Sequence, residues 1–308
     1  MTPMRMHVTR RNFVLGGAAV GLGGCAYLLT PNILRSQPSF DLPDKPSGFR
    51  DTAGRELVAA NLANQRTGVF LATGQSLAGD HVQGFYQPRH EVLNFNIYDG
   101  RLYRYIDPPL GPTFTSNGYQ GWNEGYGALW GEVGDLLIEA KAFDRVGWAV
   151  PAIGGTTIQE WSDGAYRDRN LVAVRRLKLA GLQLSGGISV IGESDGIAKT
   201  DPALFKTQYL RMIDAVRKEA GSPVPWFVTQ DTWAYGLQSE PIRRAQRELV
   251  DPANGIFFGG DLDQFGDAFR YEEIAGPTAD KRVHPSAKGR AAMARVIAAA
   301  MIAEHKSS

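Results

Sequence analysis

The sequence has little cysteine and almost no net charge, and each shortage excludes a class of protein. Cys25 is the only cysteine in 308 residues, so no disulfide can form within the chain. The 33 Lys and Arg residues are balanced by 32 Asp and Glu residues, and no basic block is present to bind a phosphate backbone. We therefore expect neither a disulfide-rich protein nor a nucleic-acid partner.

Histidine is also scarce, and the five histidines limit both metal binding and base catalysis. The His, Cys and carboxylate residues do not show the spacing of a zinc site, so we expect no metal and no other cofactor. No segment repeats along the chain. What is present is a globular composition, 43% hydrophobic and 21% charged, with enough length to bury the core of one main domain.

The N-terminal 30 residues have the layout of an export signal. The basic stretch MTPMRMHVTRRNF precedes the apolar stretch VLGGAAVGLGGCAYLL, and residues 9–15 resemble the twin-arginine pattern. An uncleaved membrane anchor is the alternative, because the apolar stretch is of about spanning length, although its glycines weaken a permanent helix. Both interpretations place the rest of the chain outside the cytoplasm, in the periplasm or cell envelope.

Cys25 lies in the segment Leu22-Gly23-Gly24-Cys25, which resembles a bacterial lipobox. In this interpretation the signal is cleaved before Cys25, and its thiol carries a lipid that anchors the protein to the membrane. The alternative is a small buried residue of the apolar segment. Residues 31–50 contain four prolines and predict an extended tether, which leaves residues 51–308 as the folded domain.

The folded domain alternates short apolar runs with helical patterns. Five runs bounded by Gly, Pro, Asn or Asp predict buried parallel strands, at 68–73, 146–153, 187–192, 225–230 and 255–260. Helices are predicted near 125–142, 166–180, 201–221, 239–249 and 286–304. This alternation predicts an α/β fold, a three-layer α/β/α sandwich around a parallel sheet of about five strands.

Polar loops directly follow four of the predicted strands, and ligands of open α/β sheets bind at that edge. Ser76 lies in the first of these loops, where it is either a turn residue or a nucleophile, and a nucleophilic serine needs a base. The five histidines are His7 in the export segment, His305 in the C-terminal tail, His81, His90 and His284. His81 is too close in sequence to Ser76 to face it easily across a turn, which leaves the last two as candidates for the base.

His284 precedes a proline on a loop, where a ring is free to point into a site. Asp280 lies four residues earlier and could orient the imidazole as the acid of a Ser–His–acid triad. Gly154-Gly155 could offer a backbone N–H to an oxyanion, and Ser194 could add a hydroxyl. Each of these signals is also typical of an ordinary turn, a surface histidine or a helix cap.

Four blocks of the sequence, TGQSLAGD, VPAIGGTTIQEW, VIGESDG and DKRVHPSAKG, resemble in this order the SGNH hydrolases. From about residue 66 to 300 the chain is most similar to their sialate O-acetylesterase and acetylxylan esterase branch of carbohydrate esterases. The resemblance implies an SGNH, flavodoxin-like sandwich and removal of O-acetyl groups from an acetylated carbohydrate. An esterase for lipid or aryl esters, an acetyltransferase, and a noncatalytic carbohydrate-binding or envelope-assembly protein are the alternatives.

The resemblance also implies roles for individual residues. Ser76 would be the nucleophile and, through its backbone N–H, an oxyanion donor. Gly155 would be the second donor, and His284 would be the base. Gln75, Gly154 and Glu193 are further members of the same blocks, close to the site.

Two departures from the family pattern leave assignments open. The third block has Ile191 where this branch usually has Gln, and Ser194 where many relatives have Asn, so the third oxyanion donor is open. The family acid normally precedes the histidine by two or three residues, whereas Asp280 precedes it by four. Asp263 or Asp267 could replace Asp280, or the enzyme could work as a Ser–His dyad.

Overall fold

The computed structural model describes residues 52–60, 66–112, 126–164, 166–271 and 282–307. The predicted export signal, the whole of the predicted tether and Asp280 lie outside these residues. Within the described ranges, no helix is both long enough and apolar enough to cross a membrane.

A large mixed sheet organises the domain. Its strands and those of a small ribbon are β1 (Leu57–Val58), β2 (Thr67–Gly74), β3 (Val82–Gln83), β4 (Val92–Asn96), β5 (Arg101–Arg104), β6 (Tyr126–Gly127), β7 (Arg145–Ala149), β8 (Gly186–Val190), β9 (Trp226–Gln230) and β10 (Ile256–Asp261). The sheet has the order β1-β5-β4-β7-β2-β8-β9-β10, and β3 pairs with β6 in the ribbon. The strands from β4 to β10 in this order run parallel, whereas β5 and β1 are antiparallel to their neighbours.

Helices cover both faces of the sheet. They are α1 (Trp130–Glu139), α2 (Ile158–Ser162), α3 (Arg167–Leu179), α4 (Glu193–Ala198), α5 (Pro202–Ala220), α6 (Glu240–Glu248) and α7 (Ala287–Ser307). Side chains of α1 and α7 share one buried cluster, and side chains of α3, α5 and α6 share the other. The predicted three-layer sandwich is therefore confirmed. All five predicted strands are present, and β4 adds a sixth parallel strand.

Strand β2 shows why this sequence becomes the centre of the sheet. Its side chains alternate between the two cores: Val69 and Leu71 belong to the cluster with α3, whereas Phe70 and Ala72 belong to the cluster with α1. Each of these residues is at most 3% exposed. Burial of a side chain as large as Leu or Phe stabilises the fold by about 1.5–3 kcal/mol, so a continuous apolar run is favoured in a strand covered on both sides.

The loop after β2 is bound to the loops of both neighbouring strands. Strands β7 and β8 flank β2 on opposite sides. The N–H of Ile153, beyond β7, donates to the carbonyl of Gly74 (2.9 Å), and the N–H of Gln75 donates to the carbonyl of Val190 in β8 (3.1 Å). Gly74 has φ +135°, and a Cβ there would lie 2.1 Å from that Val190 oxygen. Glycine is thus required where the three loops meet.

Candidate active site

Ser76 begins a single 3₁₀ turn, Ser76–Ala78, at the carboxyl end of β2. The N–H of Ala78 donates to the carbonyl of Gln75 (3.0 Å), and the indole of Trp130 donates to the carbonyl of Ala78 (2.6 Å), so the turn is fixed against α1. The backbone N–H of Ser76 donates no hydrogen bond to another described residue. It is therefore available to a ligand beside the serine hydroxyl.

His284 faces this serine. Its Nε2 atom lies 2.6 Å from Oγ of Ser76, and the two residues are only 7% and 5% exposed. The backbone around His284 is fixed on both sides, because the N–H of Tyr271 donates to its carbonyl (3.0 Å) and the N–H of Gln83 donates to the carbonyl of Pro285 (3.0 Å). A proton can therefore pass from the hydroxyl to the imidazole without movement of the backbone.

The surroundings of His284 favour its neutral form. Burial lowers the pKa of this imidazole well below its usual range, and the nearby His81 and Arg270 lower it further. A neutral imidazole is the form that accepts a proton, so the ring is in the protonation state that a general base requires.

The other described histidines have different surroundings. His90 lies at the surface, with its side chain 39% exposed and its Nε2 atom 3.2 Å from Glu139 of α1. His305 packs against Phe143, with ring centroids 4.8 Å apart. Of the two candidates that the sequence left for the base, the structure brings His284 to Ser76.

His81 lies in the site, which the sequence argument did not predict. The sequence argument considered only whether His81 could face Ser76 as its base. In the structure the ring of His81 packs against the ring of His284, with centroids 4.9 Å apart. Its Nδ1 atom is 3.2 Å from Oδ1 of Asp80. A contact between His81 and His284 depends on tertiary structure, and the only local signal for it is the glycine at position 79, which permits a tight reversal.

The Gly154-Gly155 loop provides a second free backbone donor. Gly155 is exposed and has φ +71°, and an added Cβ would meet no heavy atom within 4 Å. Its N–H donates no hydrogen bond to another described residue. Gly154 is half-buried, and the loop is joined to the end of β2 through Ile153. The N–H of Gly155 is therefore open to a ligand, as the predicted oxyanion donor requires.

Ser76, Gly155 and His284 all lie in a part of the chain that matches a known family. Residues 67–303 match the family described as carbohydrate esterase, sialic acid-specific acetylesterase. The chain belongs to this family. Membership confirms the resemblance seen in the sequence and supports an esterase, that is, a carboxylic ester hydrolase.

Solved structures show the same fold. A protein from Arabidopsis thaliana is similar at 15% identity over 79% of this chain and 99% of its own, with a TM-score of 0.58. The protein NanS is similar at 15% identity over 79% of this chain and 97% of its own, with a TM-score of 0.52. The comparison with curated proteins found no match.

Gln75 joins the first and third blocks of this esterase-family chain. Its Oε1 atom accepts from the N–H of Ser194 (3.2 Å) and lies 3.5 Å from the nitrogen of Gly192. The backbone N–H of Ser194 is therefore occupied, and only its hydroxyl remains for the predicted third oxyanion donor. Gly192 has φ +156°, and a Cβ there would lie 2.5 Å from the backbone oxygen of Asp231, so glycine is required.

Two buried carboxyl groups, those of Glu193 and Asp231, influence each other's pKa. Burial and the neighbouring Asp231 raise the pKa of Glu193, and burial together with Asp263 raises the pKa of Asp231. Arg270 opposes both shifts without cancelling them. The Glu193–Asp231 pair therefore tends to hold a proton, because two adjacent buried carboxylates repel each other.

The acid that would partner His284 stays a prediction, since Asp280 lies outside the described residues. The carboxylate of Asp263 already has structural partners. It accepts from the N–H groups of Thr232 and Trp233 (2.9 Å each) and lies 2.7 Å from the guanidinium of Arg243. Asp267 is exposed at the surface. Among the described residues, no group of three or more His, Cys, Asp or Glu residues is arranged to hold a metal ion.

Proposed function

We propose that this protein is an exported serine esterase that removes O-acetyl groups from a carbohydrate. The observation that carries the proposal is the distance of 2.6 Å between Nε2 of His284 and Oγ of Ser76 at the carboxyl edge of the sheet. Membership of a carbohydrate esterase family supports the ester as substrate.

The reaction follows from these groups. His284 takes the proton of Ser76 while Oγ attacks the acetyl carbonyl, and the resulting oxyanion accepts from the N–H groups of Ser76 and Gly155. The bond to the sugar oxygen then breaks, and that oxygen takes the proton from His284. A water molecule, deprotonated by the same imidazole, attacks acetyl-Ser76; the bond from the acetyl carbon to Oγ breaks, acetate leaves, and His284 returns the proton to Oγ. Each oxyanion donor contributes about 2.7–4 kcal/mol, and the base about 10²–10⁴ in rate.

Aromatic side chains near His284 support a sugar substrate. Tyr126 is half-buried and stacks on Tyr271, with ring centroids 5.3 Å apart, and the ring of Tyr271 lies 6.5 Å from that of His284. The indole of Trp233 donates to the carbonyl of Arg282, two residues before His284. Partly exposed aromatic faces of this kind stack on sugar rings.

Export and anchoring belong to the same proposal. A basic segment, an apolar segment and the motif ending at Cys25 precede the folded domain. Lipid attached to Cys25 would hold the esterase at the membrane surface. Substitution Cys25→Ser in the expressed full chain should release it from the membrane fraction, and unchanged membrane association would point to an uncleaved helix instead.

The test of the enzymatic proposal is release of acetate by the full chain from acetylated xylan, acetylated sialosides and short-chain aryl esters. We expect release from at least one acetylated carbohydrate, and loss of that activity in Ser76→Ala and His284→Ala. Wild-type release no faster than in both variants would reject the proposal in favour of a noncatalytic protein. Activity on aryl or lipid esters alone would reject the carbohydrate substrate, and transfer of acetyl to an acceptor sugar without equivalent acetate would indicate an acetyltransferase.

A further inference from the structure

His81 takes no part in the steps proposed above, although it lies at their centre. Its ring is 2% exposed, and its centroid lies 4.9 Å from that of His284 with an angle of 46° between the planes. Rings at this separation are in direct contact. A rotation of His284 that withdrew Nε2 from Ser76 would therefore disturb this contact.

The backbone explains why the two rings meet. The 3₁₀ turn Ser76–Ala78 and the following Gly79 reverse the chain after the serine, so that His81 returns to the site directly before β3. The next residue but one, Gln83, donates its N–H to the carbonyl of Pro285. The segments that carry the two histidines are thus hydrogen-bonded to each other.

Asp80 holds His81 from the side of Nδ1. The distance from its Oδ1 to Nδ1 of His81 is 3.2 Å, and the side chains are 1% and 3% exposed. A buried carboxylate packed this closely beside the ring limits the orientations that the ring can adopt. His81 is therefore a supported surface against which His284 can rest.

The pKa of His284 is lowered first by burial, and the neighbouring His81 and then Arg270 lower it further. The imidazole of His284 is thereby kept free to accept the proton of Ser76.

Four other ionisable residues lie at this contact. They are Asp80 from the turn after Ser76, Tyr126 of β6, and Arg270 and Tyr271 from the segment bonded to His284. Burial raises the pKa of Tyr271, so its phenol stays neutral, and Arg270 is a permanent cation. The imidazole of His284 is therefore the group whose titration is followed.

We propose that His81 is a positioning residue for His284: its ring packs against the imidazole and holds it against Ser76. The inference rests on the proposed function, in which His284 is the base. It adds a residue that the family pattern of the four blocks does not include.

The experiment compares His81→Ala, which removes the ring, with His81→Phe, which keeps a ring without a titratable nitrogen. Steady-state kinetics of the full chain are measured with 4-nitrophenyl acetate. We expect His81→Ala to lower kcat about 10-fold or more with KM within about 2-fold, and His81→Phe to recover kcat to within about 3-fold, because orientation of the base is what the ring supplies. The exposed His90→Phe is the matched control and should leave both constants unchanged.

A second readout is independent of turnover. The chain has only five histidines, so the imidazole signal of His284 can be followed by NMR through a pH titration. We expect its midpoint to rise in His81→Phe, because a cause that lowers the pKa of His284 has been removed. Where His81→Ala does not fold, His81→Gln replaces it in the kinetic comparison.

Two results would overturn the inference: wild-type kcat in the variant that lacks the ring, or an unchanged midpoint for His284 in His81→Phe. Equal loss of kcat in the Ala and Phe variants would also overturn it, since it would show a structural role only. Failure of the proposed function would give a different result. The wild type would then be no more active than Ser76→Ala, while the NMR titration would still report on the contact between the two rings.

Discussion

The side-chain oxygen of Gln75 accepts a hydrogen bond from the backbone N–H of Ser194, 119 residues later in the chain. Gln75 is fully buried and directly precedes the serine that faces His284. One side chain thus connects the loop after β2 with the first turn of α4. The position of Ser76 depends on this connection as well as on its own turn.

Replacement of Gln75 by Leu should destabilise the protein and slow the reaction. The substitution leaves the buried N–H of Ser194 without its acceptor, which costs about 1–3 kcal/mol. Urea unfolding measures the stability, and kcat for an acetyl ester measures the position of Ser76. Gln264→Leu, on an exposed loop, is the control. Wild-type stability and kcat in the Gln75 variant would show that the connection does not position the serine.

The role of Gly155 can be separated from general backbone strain. Gly155 and Gly221 have φ +71° and +79°, and at both positions an added Cβ has open space. Gly155→Ala and Gly221→Ala should therefore lower stability similarly, by about 1 kcal/mol. Only the first should reduce kcat, by about 10-fold or more, because the strained peptide moves its N–H away from the oxyanion. Equal kcat in the two variants would show that the N–H of Gly155 does not stabilise the oxyanion.

The carboxyl group of Asp231 makes stability depend on pH. It is fully buried, neither of its oxygens has a hydrogen-bond partner among the described residues, and burial raises its pKa. Because the folded pKa lies above the unfolded value of about 3.9, the native state binds the proton more tightly, and stability falls as the pH rises from 4 towards 8.

The substitution Asp231→Asn should therefore raise the free energy of unfolding, relative to the wild type, more at pH 8 than at pH 4. One pKa unit corresponds to about 1.4 kcal/mol, and we expect a gain of at least this size. Thermal unfolding at the two pH values measures it. Asp263→Asn is the contrast, because it weakens bonds to Thr232 and Arg243 and should destabilise at both pH values. A gain that is equal at pH 4 and pH 8 would contradict a raised pKa for Asp231.

Continuous apolar runs made five of the six parallel strands predictable, and an interrupted run hid β4. In β4 the residues Asn94 and Asn96 break the hydrophobic pattern, and asparagine is rare in strands. The amide of Asn94 is nevertheless satisfied in the core, where it donates to the carbonyl of Trp148 (3.0 Å) and accepts from the N–H of Leu110. Partners from distant parts of the chain supply these bonds, so local patterns cannot reveal them.

The candidate site was also predictable only in part. Ser76 and His284 could be paired from strand ends, the elimination of other histidines and the family blocks. The contact of His81 with His284 could not, because it needs a chain reversal within five residues and a hydrogen bond between Gln83 and Pro285. The bond from Ser194 to Gln75 likewise forms only when β2 and β8 become neighbours in the sheet.

Covalent labelling of Ser76 tests the central claim most directly. Phenylmethylsulfonyl fluoride forms a sulfonyl ester with a serine whose proton a neighbouring base removes, with loss of fluoride. Peptide mass mapping of the treated full chain should place a single sulfonyl group on Ser76, esterase activity should fall in step with labelling, and His284→Ala should resist the reagent. Labelling at another residue, or full activity in protein labelled at Ser76, would contradict the assignment of this serine as the nucleophile.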